Sequence, residues 1–431
     1  MWARAGAELT SEVALMNMHG VALGADSMVT LTRRRGARVA QPTARKISIL
    51  NAAAPIAAMT NDNAVFAGVP WTLVFDRFAA YCGEAPLAFD DYRDRLVTFL
   101  ADFETLSGMT GVDGHEVESF NDYIFWFALA YARKAAHLSR DFEVEFGEGL
   151  ATAALGQLRE EVLFQPGPDE RDEAGGPVER ARIEPTPRLV AFVEKHLPEA
   201  LENALGMIFD GLEVPEAVLA DLQQLAVQSI LVDWIPEDAS DAQLIMAGFG
   251  AGAITPSLLA INIAGAFAGH LKYAVTDRVD TGPKQRVFVK TFAQAQLGTA
   301  MLTGARPTFE DLALQESRDE LLDLVYRALS RSRLGERAAN SVARDILMDS
   351  RDALQRGLDR AKARHAAIVR GQFDPLLGTA DTDTLARFAR KFVEITVLEH
   401  ELLRADSVGR PIRVVTLTRD GITTDIDGER Q

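Results

Sequence analysis

Short apolar runs bounded by glycine or polar residues open the sequence, and runs of this kind predict β-strands. The predicted strands of the first part are Val13–Met18, Val21–Ala25, Arg45–Leu50 and Ile56–Met59. The first two flank His19-Gly20 and predict a hairpin. Because side chains alternate along a strand, Lys46 points away from the face that carries Ile47 and Ile49. Pro70 then occupies a position typical of a first helical turn.

Helical periodicity replaces strand alternation in the middle of the chain. Apolar residues recur there at steps of three and four, which predicts packed amphipathic helices. The predicted helices are Tyr92–Phe103, Tyr123–Leu138, Leu189–Phe209 and Pro215–Trp234. Gln165–Pro187 is rich in proline, glycine and charge, and predicts a mobile loop. A second helical segment covers roughly Pro307–Gly371.

Strands return in the last part of the chain. The candidates are Leu244–Phe249, Ser257–Ala264, Leu271–Thr276, Arg286–Thr291, Ile412–Thr418 and Ile422–Asp427. A helix before the last two has one predicted apolar stripe, made of Leu385, Phe388, Phe392, Ile395, Leu398 and Leu402. This order of elements predicts an α+β fold in which two stacked sheets carry helices on both outer faces.

Residues 244–269 form an uncharged stretch that is long enough to cross a bilayer. Several glycines and Pro256 interrupt it, and a lipid-facing helix needs a satisfied backbone, so two buried strands joined by a turn are the better interpretation. The run Gly248–Gly252 resembles a phosphate-binding loop. No Lys-Ser or Lys-Thr follows it, so the sequence predicts no nucleotide site there.

Composition narrows the classes of partner. The 431 residues include 62 acidic and 45 basic ones, a formal charge of −17, which argues against duplex nucleic acid or an anionic membrane as partner. The single cysteine, Cys82, excludes an internal disulfide framework and fits a reducing cytoplasm. The histidines have no ligand spacing, so neither a metal nor a cofactor is predicted. The first residues contain no apolar segment typical of a secretory signal, so we expect a cytoplasmic protein.

The first hairpin carries the most informative motif. Thr10 stands before the first strand, Asp26 ends the second, and Gly20–Ser27 reads G-V-A-L-G-A-D-S. This arrangement resembles the opening of a proteasome β-type subunit, a member of the N-terminal nucleophile hydrolases. Ala44-Arg-Lys46-Ile-Ser-Ile resembles the strand that supplies the active-site lysine of that family.

The end of the chain is similar to the same family. Asp406-Ser407-Val408-Gly409 precedes a strand and the turn Asp420-Gly421, the layout of the family's aspartate, small-residue loop and terminal hairpin. The stretch Asn63–Trp71 resembles long bacterial proteasome-like proteins. The resemblance implies a four-layer αββα sandwich from residues 10–86, 242–306 and 372–431. Residues 1–9 are then an N-terminal extension, and 87–241, with the loop 165–187, and 307–371 are helical insertions.

Roles for several residues follow from the resemblance. A threonine hydroxyl attacks an amide only when a base takes its proton, and the free α-amine of Thr10, with an unperturbed pKa of about 8, suits that task. Lys46 would stabilise the deprotonated hydroxyl, and Asp26 would orient Lys46, with Asp406 as a further catalytic residue. Backbone N–H groups near Asn61 and Asp62 would form an oxyanion hole. Ser27, Ser407 and Gly409 would support the site, and Gln294 would line the cleft.

The α-amine of Thr10 is free only when nothing precedes it. Leu9 stands there, rather than the glycine after which this family usually cleaves itself. We therefore hypothesise that processing exposes Thr10, or that translation starts at position 9 and the initiator is removed.

Function is thus expected to be threonine-type hydrolysis of a peptide or small amide. The alternatives are a catalytically inactive proteasome-like subunit and a small-amide hydrolase with a closed pocket. The resemblance implies self-association, and any unfoldase partner stays unidentified.

Overall fold

Helices and antiparallel sheets together form a mixed α and β structure. The computed structural model describes residues 11–27, 29–32, 38–41, 45–108, 115–142, 145–165, 178–209, 214–236, 239, 242–283, 285–293, 300, 307–331, 336–403 and 408–430. The strands are β1 Ser11–Asn17, β2 Val21–Asp26, β3 Val29–Thr32, β4 Arg38–Gln41, β5 Ile47–Asn51, β6 Ile56–Asp62, β7 Val65–Phe66, β8 Val69–Pro70, β9 Ala242–Gly248, β10 Ser257–Phe267, β11 His270–Asp280, β12 Val287–Ala293, β13 Ile412–Thr418, β14 Gly421–Ile426 and β15 Glu429–Arg430. The helices are α1 Trp71–Cys82, α2 Phe89–Ala101, α3 Phe103–Ser107, α4 His115–Phe142, α5 Glu148–Leu163, α6 Pro187–Phe209, α7 Glu216–Ile230, α8 Pro307–Ser330, α9 Glu336–Gly378 and α10 Thr382–Leu403.

The described residues group into two compact units. The first contains those within 1–44, 281–416 and 423–431. Its sheet has the strand order β12-β1-β2-β13-β14-β15, and α10 packs on β1 and β2. A Cβ atom built on Gly24 would lie 3.3 Å from the Cβ of Ala389, so the small side chains at these two positions let the helix approach β2 closely. Apolar side chains fill this contact: Val13, Leu15, Ala22, Leu385, Ala389, Phe392 and Val393.

The second unit contains the described residues within 45–280 and 417–422. Its sheet has the order β11-β10-β9-β6-β5. Helices α1 to α3 cover this sheet with an aromatic core in which Phe66, Phe99 and Phe103 pack edge to face. A separate core joins α4 to α7 and includes Phe267 at the end of β10.

The predicted first hairpin is confirmed, and its turn depends on Asn17. The backbone N–H of Asn17 donates to the Gly20 carbonyl at 3.0 Å. Its Oδ1 atom accepts the N–H groups of His19 and Gly20 at 2.8 and 3.2 Å. The Nδ2 atom also donates to the carbonyls of Leu377 and Ala380. Asn17 therefore fixes the turn and anchors it to the end of α9.

The uncharged stretch 244–269 forms β9, β10 and the turn between them, which confirms the interpretation as strands. No helix in the described part of the chain is long and apolar enough to cross a membrane. The glycines of the run Gly248–Gly252 allow neighbouring backbone segments to pack closely. A Cβ on Gly248 would lie 2.0 Å from the carbonyl oxygen of Pro55, and one on Gly250 would lie 2.2 Å from the backbone nitrogen of Phe89.

The predicted apolar stripe of the last helix is partly wrong. Leu385 and Phe392 are buried, but Leu398 and Leu402 are 53% and 75% exposed. The buried face of α10 continues instead through Val393, Thr396, Val397 and His400. The stripe differs because β1 and β2 contact the helix on a face that carries smaller and polar residues as well as large apolar ones.

Part of the predicted loop 165–187 is anchored. Residues 166–177 lie outside the described residues. Beyond them, the N–H of Arg180 donates to the carbonyl of Leu163 at 2.8 Å, and the N–H of Ile183 donates to the carbonyl of Leu231 at 2.9 Å. The chain from 178 to 186 is thus attached to the ends of α5 and α7.

Candidate functional site

Asp26 ends β2 and is buried, with 1% of its surface exposed. Its Oδ1 atom accepts the backbone N–H of Ser11 at 3.0 Å. Its Oδ2 atom accepts the backbone N–H of Gly409 at 3.3 Å. One carboxylate therefore joins the start of β1, the end of β2 and the loop before β13. Two backbone donors stabilise a buried carboxylate in one orientation.

Most of the other residues predicted for the site in this unit lie outside the described residues. Ser27 follows it directly and is 5% exposed. Thr10 precedes Ser11, whose N–H binds Asp26, but Thr10 itself lies outside the described residues. Gln294, Asp406 and Ser407 also lie outside them. Of the predicted residues in this unit, the structure brings together Asp26 and Gly409.

A buried histidine within electrostatic range of Asp26 was absent from the predicted site. His400 and Glu399, in the last turn of α10, are 6% and 7% exposed. Burial lowers the pKa of His400 below its ordinary value, while the carboxylates of Glu399 and Asp26 act in the opposite direction. The carboxylate of Asp26 thus has a buried imidazole within electrostatic reach.

The signal for His400 was present in the sequence. It lies four residues after Thr396 and seven after Val393, so all three share one helix face. A histidine on a buried face is an informative observation, because polar groups are buried only with partners. The predicted stripe continued through Leu398 and Leu402 instead, so it did not include His400.

Glu12 is a second buried acid that sequence reasoning missed. It lies on β1 opposite Ala25 and Phe292, and its surface is fully buried. It follows Thr10 by two residues. An acidic residue directly before the apolar run Val13–Met16 was the available signal.

The second unit contains Lys46, which directly precedes β5 and is 8% exposed. Burial matches the predicted alternation only in part. Ser48 and Leu50, on the same face as Lys46, are buried, but on the other face Ile47 is also buried and only Ile49 is exposed, at 44%. Lys46 therefore belongs to a buried face of this strand.

Asn61 and Asp62 were predicted to follow the fourth strand, but they are the last two residues of β6. They pair with Gln243 and Ala242 of β9. The Nδ2 atom of Asn61 donates to Oε1 of Gln243 at 3.0 Å, and Nε2 of Gln243 donates to Oδ1 of Asn262 at 2.8 Å. This ladder of amides extends the strand through the residues predicted for the oxyanion hole.

Lys272 is a buried cation outside the predicted site. Its Nζ atom donates to the carbonyls of Ser229 and Val232, both at 2.6 Å, and of Ile230 at 3.5 Å. Ser229 and Ile230 are the last residues of α7 and Val232 follows shortly after, so the ammonium lies at the C-terminal end of this helix, where a positive charge is favourable. Burial lowers the pKa of Lys272 to about 7, with Asp233 acting upward and Arg180 downward. Lys272 attaches α7 to β11.

The candidate site is thus a buried carboxylate, Asp26, which accepts two backbone N–H groups and lies within electrostatic range of a buried histidine, His400. Lys46 and Asn61 lie in the other unit, and their convergence with Asp26 stays a prediction. No family model matches the sequence, and no curated protein shows significant similarity to it.

Proposed function

We propose that this protein is a threonine-type peptidase or amidase with a four-layer αββα architecture. Thr10, exposed by processing or by a later start, is the nucleophile, and an acyl-enzyme forms on its hydroxyl. The supporting observation is the hydrogen bonding of Asp26. Its carboxylate accepts the backbone N–H of Ser11, which follows Thr10, and that of Gly409, which follows Asp406 and Ser407 in sequence.

The chemistry needs a base, a cation and an oxyanion hole. The hydroxyl oxygen of Thr10 attacks the amide carbon while its proton passes to the free α-amine. Lys46 stabilises the developing charge, and backbone N–H groups near Asn61 and Asp62 receive the oxyanion. The C–N bond then breaks and the leaving amine takes the proton. Water hydrolyses the resulting ester and regenerates the hydroxyl.

Asp26 acts as the positioning residue in this scheme. A buried carboxylate that accepts two backbone N–H groups cannot rotate freely, so the start of β1 stays aligned with the end of β2. The nucleophile lies one residue before this anchored N–H. A small displacement of that backbone would misplace the hydroxyl from the attacked carbon.

An alkyl β-lactone tests the nucleophile directly, because ring opening acylates a hydroxyl without loss of mass. We expect a chain that begins at Thr10 to gain the mass of one lactone, located on Thr10 by peptide mass analysis. Thr10→Ala should stay unmodified. Ser11→Ala is the matched control and should still react, since its backbone N–H still binds Asp26. A chain that retains residues 1–9 should not react.

Other outcomes identify the alternatives. A folded chain that begins at Thr10, forms no adduct and hydrolyses no amide would be an inactive, structural or binding subunit. Hydrolysis of small amides without cleavage of fluorogenic peptides would indicate a small-amide hydrolase. An adduct on Ser11 or Ser27 instead of Thr10 would contradict the proposed nucleophile.

A further inference from the structure

Helices α8 and α9 pack against each other without enclosing a core of their own. None of the described side chains of α8, or of α9 between residues 354 and 376, is buried. Leu312 and Leu324 of α8 are 57% and 56% exposed, and Ile368 of α9 is 61% exposed. The contact between the two helices therefore leaves large apolar side chains in solvent.

One row of exposed residues on α8 carries negative charge. Its members follow one another at four-residue steps, so they lie along one side of the helix. All are exposed, whereas the half-buried Val325 lies on the opposite side. This row, the acidic stripe, consists of Leu312, Glu316, Glu320 and Leu324.

A row with the same spacing on α9 carries positive charge. Its members are also exposed, and the half-buried Leu358 and Val369 lie on the opposite side of the helix. This row, the basic stripe, consists of Arg356, Arg360, Arg364 and Ile368. Both stripes thus face away from the sides on which their helices are half-buried.

Neither stripe has its charge balanced within the chain. Like charges four residues apart repel each other along a helix. The carboxylates of the acidic stripe and the guanidinium groups of the basic stripe form no ion pair with any residue that the structure describes. Each stripe therefore lacks the opposite charge that the other carries.

The two stripes match in length as well as in charge. Each spans three steps of four residues, roughly 18 Å at 1.5 Å per residue. When the stripes are laid side by side in either direction, Glu316 and Glu320 face Arg360 and Arg364. A leucine at one end of the acidic stripe then meets Ile368. Because every copy of the chain carries both stripes, a two-fold axis would form this contact twice.

We propose that a second copy of this chain docks here, with the acidic stripe of each copy against the basic stripe of the other. Nucleic acid or an anionic lipid surface would match only the arginines. It would leave the acidic stripe uncovered, and the formal charge of −17 disfavours it. The contact is independent of the proposed hydrolase activity, because none of the residues predicted for that site lies on α8 or α9.

Sedimentation velocity of charge-reversed variants tests the proposal. We expect the wild type to form dimers at micromolar concentrations. Glu316→Arg/Glu320→Arg and Arg360→Glu/Arg364→Glu should each weaken dimerisation about tenfold or more, because like charges then face each other. A chain with all four substitutions exchanges the charges between the stripes and should dimerise again. This rescue distinguishes pairing of the stripes from misfolding.

Two controls match these variants. Glu199→Arg/Glu202→Arg changes the net charge by the same amount as the first variant, at exposed positions of α6, and should dimerise like the wild type. Ile368→Ser should weaken the dimer, since it removes the apolar end of the basic stripe. Leu376→Ser, at a 65% exposed position of α9 outside the stripe, should not. Circular dichroism checks that all variants keep their helices.

Several results would overturn the proposal. A wild type that stays monomeric across micromolar concentrations would exclude the contact. Dimers that survive both charge reversals would place the interface elsewhere. Loss of dimers in both variants without recovery in the four-substitution chain would contradict pairing between the stripes. Binding of RNA or anionic vesicles by a monomeric wild type, abolished by Arg360→Glu/Arg364→Glu, would assign the basic stripe to a different partner.

Discussion

Lys272 has a charge that changes near neutral pH in the folded protein. Burial lowers its pKa to about 7, whereas the unperturbed side chain has a pKa of 10.5. Between these values the unfolded chain binds more protons than the folded chain. The free energy of unfolding should therefore rise with pH in this window, by at most about 1.4 kcal/mol per pH unit.

Urea unfolding between pH 7 and 9 measures this dependence. We expect the wild type to become more stable across that range, and Lys272→Met to lose most of the increase. Lys195→Met, at an exposed position of α6, is the control and should keep the wild-type slope. If the unfolding free energy of Lys272→Met rose with pH as steeply as that of the wild type, another group would cause the pH dependence.

Gly248 allows a close approach that no other residue permits. Its φ of +141° is unfavourable for residues with a side chain, and a Cβ there would lie 2.0 Å from the Pro55 carbonyl oxygen. That oxygen also accepts the N–H of Phe249 at 2.8 Å, so it cannot move away freely. We expect Gly248→Ala to lower the free energy of unfolding by about 1–3 kcal/mol.

Gly156→Ala is the matched control for Gly248→Ala. Gly156 lies in the interior of α5, and a Cβ there would have no neighbour within 4 Å. Alanine should stabilise this exposed helical position by about 0.5–1 kcal/mol. Thermal unfolding of both variants checks the opposite signs. A stabilising Gly248→Ala would contradict the steric argument.

Helix α10 shows how a tertiary contact selects one of two apolar faces. Large apolar side chains occur around much of this helix, and periodicity alone favoured the face that ends at Leu398 and Leu402. Contact with β1 and β2 buries the face that contains Ala389, Val393 and His400 instead. The existence of the helix was predictable from local pattern, but its orientation depends on strands far away in sequence.

The same substitution on the two faces tests this orientation. Leu385 is fully buried in the core beneath α10, and Leu402 is 75% exposed. We expect Leu385→Ala to cost about 2–5 kcal/mol of unfolding free energy, as cavity-forming changes do. Leu402→Ala should change it by less than about 0.5 kcal/mol. Similar costs in urea unfolding would mean that the face near Leu402 is also covered.

Most other elements followed from sequence for simple reasons. Strands and helices with strong alternation or helical spacing appear as predicted, including the first hairpin and the strands on either side of residue 250. Helix α5 was not predicted, because Ala151 and Ala154 form the first part of its buried face and weaken its apolar signal. β6 extends further than predicted because Asn61 pairs with Gln243 through its side chain.

The candidate site was predictable only in part. The position of Asp26 followed from the hairpin motif, since both strands are local. Its contact with Gly409 joins residues 383 positions apart, and no local pattern encodes such a contact. The packing of α10 brings His400 within electrostatic range of Asp26, so its position required the same distant information.

At the scale of the molecule, the two compact units each combine a sheet with helices. The predicted helical insertion 87–241 groups with the sheet that contains β5, β6, β9, β10 and β11, and the insertion 307–371 groups with the other unit. Each sheet thus forms its core with helices that are distant from part of it in sequence. The proposed hydrolase needs residues from both units, because Asp26 lies in the first and Lys46 in the second.

A double-mutant cycle tests whether Asp26 and Lys46 act together. Asp26→Asn replaces one carboxylate oxygen by an amide group that cannot accept an N–H, so we expect it to cost about 1–3 kcal/mol of unfolding free energy. If Lys46 pairs with this carboxylate, combining the change with Lys46→Met should deviate from additivity by about 0.5–3 kcal/mol. Asp26→Asn combined with Lys195→Met, an exposed lysine of the same unit as Lys46, should be additive within about 0.5 kcal/mol. Asp26→Asn and Lys46→Met should each also abolish acylation of Thr10 by the β-lactone. Additivity in both cycles, with Lys46→Met still acylated, would separate Lys46 from Asp26 and exclude the proposed catalytic arrangement.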